Sequence, residues 1–122
     1  MILRSASAAF AFVCLSGTAA AGDAVVVAAA ARWLGADRAR IDVTIRHGDT
    51  GWDHYADQWT VATPGGEVLG VRTLYHPHVE EQPFTRSLTL DIPAGVDAVA
   101  IRARDSGHGE SAKTFPLTLP PR

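Results

Sequence analysis

From Asp23 onward the chain alternates apolar and polar residues in short runs. Glycine- and proline-bearing turns separate the runs, and nothing of helical period lies between them. Arg40–Arg46 is the cleanest run, with Ile41, Val43 and Ile45 on one parity and Asp42, Thr44 and Arg46 on the other. A period of two is that of a strand whose one face is buried. The same pattern marks strands over His54–Ala62, Glu67–Leu74, Phe84–Ile92, Asp97–Arg104 and Lys113–Leu119. Ala24–Arg32, β-branched at its start and alanine-rich at its end, is assigned as the first strand. In Glu67–Leu74, Gly70 weakens the run and marks an outer strand. Seven such strands joined by short turns predict an all-β fold, an antiparallel sandwich of immunoglobulin or fibronectin type. Trp59 falls on the third strand with Tyr55 and Val61 on its inner parity, so Trp59 and Tyr55 are expected in the core.

The first 21 residues follow a different rule. Arg4 is the single charge, Ser5–Ala21 has none, the apolar run Ala9–Leu15 follows, and Ala19-Ala20-Ala21 closes the segment. This is the pattern of a secretory signal peptide, and the apolar run is shorter than the roughly 20 residues of a membrane-spanning helix. Cleavage after Ala21 leaves a sandwich domain of residues 22–122, exported to the periplasm or secreted. Cys14 does not mark a lipid-attachment site, since Val13 precedes it where a small residue is expected.

Export of residues 22–122 alone removes Met1 and Cys14, the chain's only methionine and cysteine. The mature domain then has no disulfide and no soft sulfur ligand, so its core must hold it together and a bound metal must use His nitrogen and carboxylate oxygen. Loss of Arg4 with no acid moves the formal charge from −2 to −3. A slightly acidic chain with no basic run has no electrostatic footprint for nucleic acid, and no basic amphipathic helix for a membrane surface.

Strand direction organises the five histidines. In an up-and-down path successive connections alternate between the two ends of a sandwich. The connections around Gly35, Pro64-Gly65 and Pro93–Gly95 contain no histidine, whereas His47–His54, Tyr75–Gln82 and Asp105–Ser111 contain all five. In the second of these Pro77 holds the backbone extended, which sets His76 and His78 on one side. Neutral imidazole suits Zn(II) and Cu(II). The expected ligands are His76, His78 and His108, then His54 and His47, with Glu80, Glu81, Asp49, Asp53 and Asp105 as further ligands or as acceptors that fix the ring tautomers. The function expected is that of an exported metal-binding module whose partner is the ion, with another exported protein as a further partner.

A second reading uses the loop aromatics. Trp52 and Tyr75 are the candidates for an exposed surface that binds a small ligand or protein without metal. A hydrolytic reading, with Ser106, His108 and Asp105 or with a histidine and Ser87, lacks a nucleophile-elbow motif. Arg86 shares parity with Phe84, Leu88 and Leu90. It either points inwards to a carboxylate among Glu80, Glu81, Asp57 and Asp105, or is turned outwards by a bulge after Pro83.

GWDHYADQW (Gly51–Trp59) and HPHVEEQPFTRS (His76–Ser87) resemble stretches of a group of small, exported, uncharacterised bacterial proteins, and the resemblance covers most of the mature chain. It implies export and a shared fold, and it assigns no ligand. DSGHGES (Asp105–Ser111) resembles a variable form of that group's last loop.

Overall fold

The computed structural model describes residues 22–122, so the expected signal peptide, residues 1–21, lies outside the described residues. Eight strands form two antiparallel sheets: β1 (Val25–Trp33), β2 (Arg38–Arg46), β3 (Ala56–Ala62), β4 (Val68–Thr73), β5 (Phe84–Asp91), β6 (Ala98–Asp105), β7 (Gly109–Glu110) and β8 (Phe115–Thr118). One sheet has the order β1-β2-β5. In the other, β4-β3-β6 continues into β7 and β8, which both pair with β6. Because β4 pairs with β3 and not with β5, the division differs from the constant immunoglobulin arrangement, in which the fourth strand joins the first sheet. The last strand expected over Lys113–Leu119 is present as β8, shortened to Phe115–Thr118, and the loop expected over Asp105–Ser111 contains the additional short strand β7. Gly109 takes a positive φ of 80° after the turn, Ser111–Thr114 leave the sheet, and pairing resumes at Phe115.

The alternation of β2 is realised in full: Ile41, Val43 and Ile45 are buried and face Trp59, Val61, Val99, Ile101 and Ala103 of the other sheet. Each fully buried Val, Ile or Phe side chain contributes about 1.5–3 kcal/mol relative to an exposed one. Phe84, Leu90 and Ile92 complete the core from the β5 side.

One expectation is corrected. Tyr55 is half-exposed, because a bulge between Ala56 and Gln58 adds one residue to β3 and turns Ala56 inwards in its place. Trp59, past the bulge, stays fully buried. Gly70 does lie on an edge strand, but it also allows the sheets to close. A Cβ there would stand 2.9 Å from Leu88 Cδ2 and 3.0 Å from Leu90 Cδ1, so only glycine lets β4 approach β5 this closely without displacing those leucines.

Candidate metal centre

The inner parity of β2 does not stop with the strand. Ile41, Val43 and Ile45 are followed at the same period by His47 and Asp49, and both are buried. On β6, Val99, Ile101 and Ala103 are followed by Asp105, which is wholly buried. The core thus ends in a polar layer. Burying a carboxylate is costly unless it is paired or hydrogen-bonded. Among the described residues the ion pairs of Asp49 and Asp105 are with histidines alone, with no Lys or Arg.

Asp49 is satisfied by three donors. Its Oδ1 accepts from His47 Nδ1 at 2.5 Å and from the Ala56 N–H at 3.0 Å, and its Oδ2 accepts from the His78 N–H at 2.7 Å. The first contact fixes the His47 tautomer: with the proton on Nδ1, the Nε2 lone pair points away from Asp49. Asp105 Oδ1 accepts from the His108 N–H at 2.6 Å, the Gly107 N–H at 2.9 Å and His54 Nε2 at 2.9 Å. Burial pushes the Asp105 carboxyl up, but these hydrogen bonds together outweigh it and hold it below the usual carboxylate range.

Two atoms are left over. His47 Nε2 and Asp105 Oδ2 are buried, have no hydrogen-bond partner, and lie 3.9 Å apart. His54 stands beside them with its ring centroid 4.8 Å from that of His47, and the three residues offer ligand atoms all within 4.8 Å of one another. Gly107 makes room for the His54 ring, since a Cβ at residue 107 would lie 2.8 Å from its Cδ2 and Nε2. Gly107→Ala is therefore expected to push His54 off Asp105. The loss should be about 1–2 kcal/mol in urea unfolding, with a shifted His54 imidazole resonance in NMR. An unmoved resonance would show that the ring has another place to lie.

The remaining predicted residues divide between this centre and its surroundings. His108 lies at its rim, half-exposed, with Nδ1 3.3 Å from Asp105 Oδ1. His76 and His78, ranked first by sequence, lie on the neighbouring loop, and the structure does not bring their rings into the group. That loop is tied to the centre by the His78–Asp49 bond and by Gln82, which accepts from the His47 N–H and donates to the His78 carbonyl. All five histidines thus belong to loops at one end. His78 stacks on Phe84 at 3.9 Å, and Arg86 donates to its Nε2 at 2.8 Å, which leaves the proton on Nδ1 and no lone pair for an ion. His76 is exposed, its Nδ1 3.1 Å from the Pro77 carbonyl. Arg86 points neither to a buried carboxylate nor fully outwards. It is half-buried between His78 and Glu81, whose Oε1 is 3.6 Å from it.

Glu80, Glu81 and Asp53 are exposed, away from the buried group, as are Trp52 and Tyr75. Trp52 meets the half-exposed Tyr55 edge-on at 5.6 Å. The serines of the hydrolytic reading are occupied elsewhere: Ser87 Oγ donates to Asp42, and Ser106 Oγ accepts from the Tyr55 N–H. Sequence reasoning ranked His47 last and placed Asp49 and Asp105 behind the histidines. The signal that distinguishes them is the strand parity carried two to four residues past the last apolar position. Asp23, which joins Asp105 and His108 in a second group, had no such signal.

Burial and the Arg86 guanidinium lower the basicity of His78, with His76 adding to the effect. An imidazole whose folded pKa lies below its unfolded value of about 6.5 binds fewer protons folded than unfolded. Stability is then highest above that value and falls as the pH drops through it towards the folded one. His78→Gln should flatten the slope of metal-free unfolding free energy between pH 7.5 and 5. An unchanged slope would mean that His78 titrates alike in both states.

The centre defines the protein as a fibronectin-like sandwich with a buried His–Asp cluster at one end. A "Putative lipoprotein" of Halomicrobium mukohataei is 41% identical to the chain over 87 residues, 71% of this chain and 43% of that protein. The chain therefore spans less than half the length of that relative. No family model and no solved structure matches. Among the described residues no helix is long and apolar enough to cross a membrane.

Proposed function

We propose that this is an exported domain that binds Zn(II) or Cu(II) through His47 Nε2, His54 Nε2 and Asp105, and that it holds the ion as a binding or sequestering module. Export is supported by the N-terminal sequence pattern and by the likeness to a putative lipoprotein. The observation that carries the metal reading is the pair of buried, unpartnered atoms facing each other at 3.9 Å, His47 Nε2 and Asp105 Oδ2. Metal–ligand bonds of about 2.0–2.2 Å place two ligands of a tetrahedral ion about 3.4 Å apart, so a sub-ångström approach suffices. Asp49 on the far nitrogen of His47 is the carboxylate–histidine arrangement that orients a ligand and raises its basicity. A divalent ion would also balance the two buried carboxylates. His54 would ligate once its proton moves to Nδ1.

The direct test is a metal count by mass spectrometry on untagged residues 22–122, after Zn(II) or Cu(II) loading and desalting. One ion per chain, reduced to none by His54→Gln, is expected. A metal-free result after loading rejects the reading. A second reading, a surface for an organic or protein partner, is favoured by the exposure of Trp52 (68%), Tyr75 (74%) and Val79 (55%) on loops of the same end. Trp52→Ala with Tyr75→Ala would abolish such binding and leave the metal count unchanged.

A further inference from the structure

Three imidazoles stand in a row beside Asp105. The His47 and His54 centroids are 4.8 Å apart, and those of His54 and His108 are again 4.8 Å apart. Side-chain exposure rises along the row, from 0% at His47 to 17% at His54 and 48% at His108. At its outer end Asp23, Asp105 and His108 offer ligand atoms within 4.8 Å of one another, with Asp23 and His108 exposed and Asp105 buried. Asp105 belongs to both this group and the inner one.

Resting on the metal reading above, we infer that Asp23, His108 and Asp105 form an outer divalent-cation position that loads the inner one. The two unpartnered atoms of the inner group have no exposure of their own, and His54, its partly exposed member, is flanked by His108. An ion approaching from solvent on that side meets Asp23 and His108 first. Asp105 Oδ1 already accepts three hydrogen bonds, so it lends this outer position only a weak share of its charge. The ion there is held mainly by one carboxylate, one imidazole and its own water, a loose set suited to capture and release. The wholly buried Asp105 Oδ2, unpartnered and facing His47, draws it inwards. Asp23 is held in place by its neighbour Ala24, which is buried, and by a 3.5 Å contact from the Ala112 N–H.

The test uses Zn(II) alone, with uptake followed by stopped-flow competition against a fluorescent zinc indicator. Wild type is compared with Asp23→Asn, His108→Ala and the double variant. All three lie at exposed side chains, and circular dichroism checks the fold. The expected result is an inner-site Kd within twofold of wild type, with uptake and release both slowed by roughly fivefold or more in the double variant. Zinc bound by wild type with unchanged rates in the double variant overturns this inference and leaves the functional reading standing. A large loss of affinity at an unchanged uptake rate also overturns it, because His108 would then be an inner ligand. Absence of zinc uptake by wild type overturns both.

Discussion

Saturating Zn(II) is expected to raise the melting temperature of residues 22–122 by about 10–30 °C. A ligand present at 100 times its Kd stabilises the folded state by about 2.7 kcal/mol, and at 1,000 times by about 4.1 kcal/mol. For a domain of this size each kcal/mol moves the midpoint by about 4–8 °C. The size of the effect follows from burial: the unfolded chain separates His47, His54 and Asp105 by loops and by most of the sequence, so it offers the ion no comparable site. Chelation should reverse the shift. His54→Gln should abolish it while costing the metal-free protein little, since that side chain is partly exposed and donates a single hydrogen bond to Asp105. A midpoint unmoved by millimolar Zn(II) and by Cu(II) would show that the two unpartnered atoms do not meet on an ion.

Replacement of Asp105 should have the largest effect on the metal-free fold. Asp105→Ala leaves the Gly107 and His108 N–H groups and His54 Nε2 without their acceptor, at the end of a strand whose preceding inner positions are Ala103 and Ile101. Loss of a buried charged partner of this kind costs about 3–5 kcal/mol. Asp105→Asn separates the two roles of the side chain. Its carbonyl can still accept the turn N–H groups where Oδ1 stands, so the cost falls to about 1–2 kcal/mol. The anionic ligand is lost all the same, and neither variant should show the Zn(II) shift. Urea unfolding in the presence of chelator measures both costs. An alanine variant within about 1 kcal/mol of wild type would mean that the β6–β7 turn does not depend on this carboxylate.

The contrast between Asp105 and His78 shows where sequence reading succeeds and where it stops. Both lie in histidine-bearing connections at the same end, as the odd–even path of the chain required. That path depends only on strands alternating in direction. The histidines of the YHPHVEE stretch were expected to lead because Pro77 sets them side by side. The ring of His78 is instead claimed by Phe84 and Arg86, residues six and eight positions later whose approach depends on how β5 packs.

By itself the sequence determined the two-layer all-β fold, the inner faces of β2 and β6, and the end of the sandwich at which the imidazoles gather. These follow from period-two patterning and turn chemistry, which act over a few residues. Only the tertiary structure decided which imidazoles share a centre, that a bulge at Ala56 exposes Tyr55, and that Asp105 meets His47 and His54 on one side and Asp23 on another. Such contacts depend on register and loop path to within about an ångström, and neighbouring residues along the chain do not encode distances between strands of opposite sheets.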